Sequence, residues 1–151
     1  MKVLLATDGT KYGDAAVEMT AKLRLTAEDE IQVVCVIDMA IPMPIDIYGG
    51  SMPKTSEIER SARENAEQVG RSAAEKLKGS ITEGVIISTH VLFGSPDSRI
   101  VETAEEIGAD LIVIGSHGYN TWERLLLGSV SNSVVHHAPC SVLIARASTD
   151  A

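Results

Sequence analysis

Apolar residues in this chain gather in five short runs, and the stretches between them carry apolar residues at helical spacing. The runs are KVLLAT (2 to 7), IQVVCVID (31 to 38), VIISTHVLFG (85 to 94), DLIVIGS (110 to 116) and SVLIAR (141 to 146). All are rich in β-branched residues and short enough to be strands. After the first run, Ala15, Ala16, Met19, Leu23 and Leu25 recur at near-helical intervals and predict an amphipathic helix. A second helix is predicted in KTSEIERSARENAEQVGRSAAEKLKGS, with Ile58, Ala62, Ala66, Val69, Ala73 and Leu77 on one face. Ser56 is placed to cap it and Gly79 to end it. The third helix runs from about Pro96 to Ile107 and closes at Gly108; the fourth is SVSNSVVHH after Gly128, stopped by Pro139.

The resulting order, βαβαβαβαβ, predicts a five-stranded parallel sheet with helices on both faces and right-handed crossovers. Sheets of this kind take ligands at the carboxyl ends of their strands, beside the point where strand order reverses. That selects the loops at 7–13, 38–55, 94–97 and 115–128. Residues 39–54, MAIPMPIDIYGGSMPK, break the pattern with three prolines and two adjacent glycines. They are read as a connection packed on the surface, the sharper alternative being a mobile flap or subunit contact.

Composition narrows the picture. The 151 residues are enough for one domain, spanning 1–151, to bury a core. Hydrophobic residues are 44% of the chain and aromatic ones only 3%, so the core must be aliphatic, as in a buried parallel sheet. A net charge of -8 with no dense Lys/Arg cluster argues against nucleic acid as a partner. It also means that a bound polyanion would have to be held by local backbone dipoles against the overall field. The opening MKVLLATDGT has too short an apolar run for a signal-peptide core, and nothing approaches a membrane span of about 18 apolar residues. Cys35 and Cys140 lack metal-ligand or CxxC spacing and are read as reduced, buried thiols. A soluble cytoplasmic protein is expected.

The stretch GSHGYNTWERLLLGSVSN, 115 to 132, carries the candidate chemistry. Gly115 and Gly118 fall where the fourth strand meets its loop, where glycine permits positive φ and close approach of backbone N–H groups to a ligand. Gly128 precedes Ser129 and Ser131 at a helix start, where unpaired amides and the dipole favour an anion. Singly, each glycine would be an ordinary turn and Ser129 an ordinary cap. Jointly, at the carboxyl edge of a central strand, they point to a phosphate site. Asp8, before Gly9, is either part of a plain turn or a carboxylate able to bind magnesium.

The spacing of Gly115, Gly118, Gly128 and Ser129 resembles the nucleotide-binding signature of the ATP-binding branch of the universal stress protein family. ATDGT, VID, ADLIVIGSHG and LLLGSVSNSVVHHAPCSVLIAR resemble that family in order and position. The resemblance implies a Rossmann-like, adenine nucleotide alpha hydrolase-like fold that binds ATP with Mg2+. It would place Thr7 and Asp8 by the nucleotide, Asp8 near the ribose or a metal-bridged phosphate, and the backbone of Val36 at the adenine edge. Ile114, Gly115, Ser116, His117 and Gly118 would line the ribose and phosphate side, with Gly128, Ser129, Val130 and Ser131 around the polyphosphate. One departure concerns position 119, often basic in the family and Tyr here. Arg124 remains in the loop but reads as a surface residue.

No Walker pattern, GxGxxG fingerprint or triad-like local sequence occurs. His117 is the histidine at the motif; His90, His136 and His137 read as structural. The expected function is nucleotide binding as a signal or structural ligand, with no catalytic residue assigned. The alternatives are slow ATP hydrolysis or adenylyl transfer, with His117 as acid or base, and a nucleotide-free dimeric interaction module. The last strand, SVLIA, has no Pro or Lys to blunt an edge and is expected to pair two copies into a homodimer.

Overall fold

The computed structural model describes residues 1–38, 55–117 and 127–148. Its elements are β1 (Lys2–Ala6), α1 (Lys11–Ala21), β2 (Glu30–Ile37), α2 (Thr55–Lys78), β3 (Ile86–Phe93), α3 (Pro96–Ile107), β4 (Leu111–Gly115), α4 (Ser129–His137) and β5 (Ser141–Ala145). The five strands form one parallel sheet in the order β3-β2-β1-β4-β5. The Rossmann-like fold expected from the sequence is thus the fold observed.

Alternation along the central strands divides the core into two layers. Val3, Leu5, Val33 and Val113 pack with Ala16, Val17, Ala73 and Leu77 under α1 and α2. Leu4, Ala6, Val34, Ile112 and Ile114 pack with Ile100, Ala104 and Val134 under α3 and α4. Because β1 and β4 are covered on both faces, their sequences are apolar at nearly every position.

Local chemistry sets most helix ends. Thr10 caps α1, its side chain accepting from the Gly13 amide. Pro96 opens α3, and Gly108 closes it at φ 64°, ψ 47°, a left-handed conformation that glycine adopts without a Cβ penalty. Ala138 ends α4 at ψ 140°, the extended geometry that the following Pro139 imposes.

Two boundaries differ from the sequence pattern. Helix α1 stops at Ala21, so Leu23 and Leu25 lie beyond it, although Leu25 is buried and Leu23 packs on the same layer. Apolar spacing reported their burial, which a turn past the helix end achieves equally well. Helix α2 already begins at Thr55, which puts Ser56 inside its first turn rather than at its cap. Of the two thiols expected to be buried, Cys35 is, whereas Cys140, just ahead of edge strand β5, is only half-buried, which corrects that expectation.

The connections decide where a ligand can sit. From β1 the chain runs outward to β2 and β3, then crosses to β4 and β5 on the other side. Strand order therefore reverses between β1 and β4, and the crevice at their carboxyl ends is the ligand position of open parallel sheets. Loop residues 39–54, together with 118–126, fall outside the described residues.

Candidate functional site

The wall on the β1 side is an ordered turn. The Thr7 amide donates to the Val34 carbonyl at 3.1 Å, extending the ladder one residue past β1. Asp8 Oδ1 then accepts from the Thr10 amide at 3.0 Å and the Thr10 hydroxyl at 2.6 Å. Gly9 has φ 78° and sits so close to α2 that a Cβ would come 2.8 Å from Val69 Cγ2. Both sequence readings of Asp8 therefore retain a basis. It shapes the turn through Oδ1, and Oδ2 remains as an oxygen for a cation.

Val36 lies where β2 outruns β1. The β1–β2 register ends at Ala6 and Val34, while β2 and β3 stay paired through Ile37 and Phe93. The Val34 carbonyl faces β1, and by the two-residue period of a strand Val36 turns its amide and carbonyl the same way, past the end of β1. A planar group with donor and acceptor edges could pair there.

On the β4 side the sequence motif acquires its physical reasons. Gly115 was expected to supply positive φ or to admit a ligand. It is a strand residue, paired with Ala145, and it is absent from the positive-φ glycines, which corrects the positive-φ expectation. An added Cβ would meet the Tyr12 carbonyl oxygen at 2.5 Å, so glycine is required for α1 to pack against β4. Ile114 is buried on the α3/α4 face. Ser116 is buried, and its carbonyl accepts from both the Gly128 amide and the Ser131 hydroxyl, each at 2.8 Å. One oxygen thus ties the exit of β4 to the start of α4.

At that helix start Gly128 is the cap, in extended geometry, and exposed Ser129 is the first helical residue. Ser129 as an ordinary cap is therefore corrected. The first intrahelical bond runs from the Asn132 amide to the Gly128 carbonyl, which leaves the amides of Ser129, Val130 and Ser131 ahead of it, in the anion-favouring first turn. The Ser131 hydroxyl spends its proton on Ser116, so a ligand could use its amide but not its hydroxyl proton. Gly118, Tyr119 and Arg124 lie outside the described residues.

His117 is oriented by its neighbours. Its Nδ1 lies 2.9 Å from Ser116 Oγ, and its ring centroid is 5.0 Å from that of Tyr12. The other histidines stand elsewhere. His90 is exposed on edge strand β3, and His136 and His137 occupy the last turn of α4. His137 Nδ1 lies 2.8 Å from the Ser133 carbonyl, a local helix-end contact.

For a metal, the described residues contain no group of three or more His, Cys, Asp or Glu able to hold one. Asp8 alone fits the mode in which magnesium takes one or two carboxylates, with phosphates and water supplying the remaining oxygens. A separate cavity of about 170 Å³ lies beside Thr7 and Gly9 between α1 and α2, with Asp14 and Lys76, 3.6 Å apart, among its lining residues. It falls below the roughly 300 Å³ at which ligand pockets usually begin, so the open β1/β4 crevice is the better candidate.

The sequence reading missed Tyr12 and Gly13. A Cβ on Gly13 would sit 2.5 Å from Thr7 Oγ1 and 2.8 Å from Asp8 Oδ1. The only available signal was a glycine inside an otherwise helical pattern, which often marks close packing.

A profile of the universal stress protein family matches residues 1–146. The chain belongs to the universal stress protein family. It is 33% identical over 148 residues to universal stress protein MJ0531 of Methanocaldococcus jannaschii, covering 96% of this chain and 81% of that protein. Among solved structures it is similar to the universal stress protein UspA from Lactobacillus plantarum (TM-score 0.79, 23% identity, 97% of each chain). It is also similar to a family protein from Arabidopsis thaliana with AMP bound (TM-score 0.71, 18% identity, 99% of this chain and 94% of that one). At these identities the two structures speak for the fold.

Proposed function

We propose that this universal stress protein binds an adenine nucleotide, ATP with Mg2+, in the β1/β4 crevice, as a signal or structural ligand. One observation carries the reading. Four separate sequence segments converge at the switch point: Thr7 and Asp8, the overhanging Val36, Ser116 with His117, and the amides at the start of α4 joined to them through the Ser116 carbonyl. A base edge, a carboxylate oxygen and a helix N-terminus in that order suit the base, the cation and the phosphates of a nucleotide. The AMP held by the Arabidopsis neighbour supports the same ligand class.

In this reading Val36 meets the adenine, and Asp8 faces the ribose or holds magnesium. Ile114, Gly115, Ser116, His117 and Gly118 form the ribose and phosphate side, and Gly128, Ser129, Val130 and Ser131 surround the phosphates. Magnesium, when bound, would neutralise phosphate charge; the chain's own groups bind and orient. Strand β5, at a sheet edge with half-buried apolar residues, pairs with a second copy to give a homodimer. The reading includes a cytoplasmic setting; among the described residues no helix is long and apolar enough to cross a membrane.

Mass spectrometry of small molecules released from the denatured purified protein tests the reading, together with calorimetric titration of ATP, ADP and AMP. Co-purified or titrated adenine nucleotide at one per chain is expected. Absence of both would leave the nucleotide-free interaction module as the better account.

A further inference from the structure

The cavity of about 170 Å³ between α1 and α2 is lined by two hydroxyls whose protons find no acceptor among the described residues. Thr7 is more than nine-tenths buried; its Oγ1 accepts the Gly9 amide at 3.3 Å and donates to no described residue. Ser72 Oγ accepts the Gln68 side-chain amide at 3.4 Å and likewise donates to none. A buried donor without an acceptor is costly, so the cavity is suited to a molecule that brings one. An ion pair lines the same space. Asp14 on α1 and Lys76 on α2 stand 3.6 Å apart, with side chains 48% and 58% exposed. A pair this open to water contributes little to stability and can part for a ligand.

We propose that this cavity binds a small zwitterionic α-amino acid. The Thr7 and Ser72 hydroxyls and the Lys76 ammonium donate to its carboxylate, the Asp14 carboxylate accepts from its ammonium, and Val69 and Ala73 pack on its side chain. The inference stands apart from the nucleotide reading.

Size and charge select this class. A cavity of about 150 Å³ takes benzene, so this one admits a molecule of about six or seven non-hydrogen atoms, the size of alanine or serine, and excludes a nucleotide. A simple carboxylate would meet Asp14 as a like charge, and a simple ammonium would leave both hydroxyl protons without an acceptor. A neutral polyol would part the ion pair without replacing either charge. In an α-amino acid the two charged groups share one carbon, which matches the close opposition of Asp14 and Lys76. The walls are already in place. A Cβ on Gly13 would lie 2.5 Å from Thr7 Oγ1 and one on Gly9 2.8 Å from Val69 Cγ2, so α1, the turn after β1 and α2 meet closely around the space, and binding needs little reorganisation.

The test follows backbone amide shifts in two-dimensional NMR of the full chain during titration with L-alanine, L-serine, propionate, ethylamine, glycerol and L-tryptophan. Saturable shifts centred on Asp14, Ser72 and Lys76 are expected with alanine and serine, binding roughly tenfold weaker with propionate and ethylamine, and none with glycerol or with tryptophan, which exceeds the cavity. Asp14→Asn and Lys76→Gln, at partly exposed side chains that should not disturb the fold, are each expected to weaken alanine roughly tenfold. Ser72→Leu should abolish binding by filling the space, and Arg60→Gln, exposed on the same helix and paired with Glu64, should match the parent. Propionate or glycerol binding as tightly as alanine would overturn the inference, as would parent-like binding by Asp14→Asn and Lys76→Gln. No saturable shift at these residues with any probe would mean that the cavity holds water only and would overturn it too. Each of these results leaves the nucleotide reading standing, since the ATP titration tests that separately.

Discussion

The carbonyl oxygen of Tyr12 lies 2.5 Å from the point that a Cβ on Gly115 would occupy. A helix on one face of the sheet is thus seated directly on the last residue of β4, and the first glycine of the motif is explained by helix packing. The next residue, Ser116, is held by backbone bonds to Ala145 and Gly128.

Gly115→Ala should be destabilising, because the atom it meets is backbone and cannot rotate away. Overpacking of this kind costs about 1–3 kcal/mol. Gly108→Ala provides the contrast: no atom lies within 4 Å of its Cβ position, and only the left-handed φ of 64° is strained, at about 1 kcal/mol. Urea denaturation of both variants checks the order. If Gly115→Ala is as stable as the parent, the Tyr12 contact does not constrain the helix.

Ser131→Ala should cost about 1 kcal/mol, since its buried hydroxyl donates to the Ser116 carbonyl. The carbonyl keeps the Gly128 amide, so the loss stays modest. Exposed Ser129, with no capping bond at this helix start, should tolerate alanine within about 0.5 kcal/mol. Thermal unfolding of the two variants in parallel distinguishes them.

Burial pushes the Cys35 thiol up to about 11, with the Asp8 carboxylate adding to the rise. At pH 8 its thiolate fraction should be on the order of a thousandth, so alkylation by iodoacetamide should be slow until the protein unfolds. For an acid whose folded value is raised, the stabilisation is fully present below the unfolded value near 9 and disappears as pH rises through about 11. Cys35→Ser should flatten that alkaline loss; rapid labelling of Cys35 in the native protein at pH 8 would contradict the burial.

The Asp97 carboxylate is held below its ordinary range by the Ser95 hydroxyl and then by the Ser133 hydroxyl, at 2.6 and 2.7 Å. Ser133 belongs to α4 and Asp97 to the first turn of α3, so the pair ties the two helices on that face. A depressed carboxylate stabilises above its unfolded value near 3.8, and the contribution is lost as pH falls through the lower folded value. Asp97→Asn should therefore be less stable than the parent at pH 7, with the gap narrowing below pH 4. Urea midpoints at pH 7 and pH 3 measure it, and an equal gap at both would remove the carboxylate from the account.

The sequence by itself determined the elements and their class, because the signals involved are local. β-Branched runs set the strands, and Pro96 and Gly108 set both ends of α3 through fixed φ and left-handed freedom. It also singled out Asp8, the motif glycines and the start of α4, since short polar residues and glycines at strand exits are few. Tertiary structure alone decided the strand order, with the reversal between β1 and β4 and β3 as the second edge. It decided that Leu25 is buried beyond its helix, that Gly13 and Gly115 make room for neighbouring elements, and that Ser131 is bonded to Ser116. Each of these depends on atoms brought together from distant parts of the chain, and a pattern of side-chain types along one segment carries no distance to another.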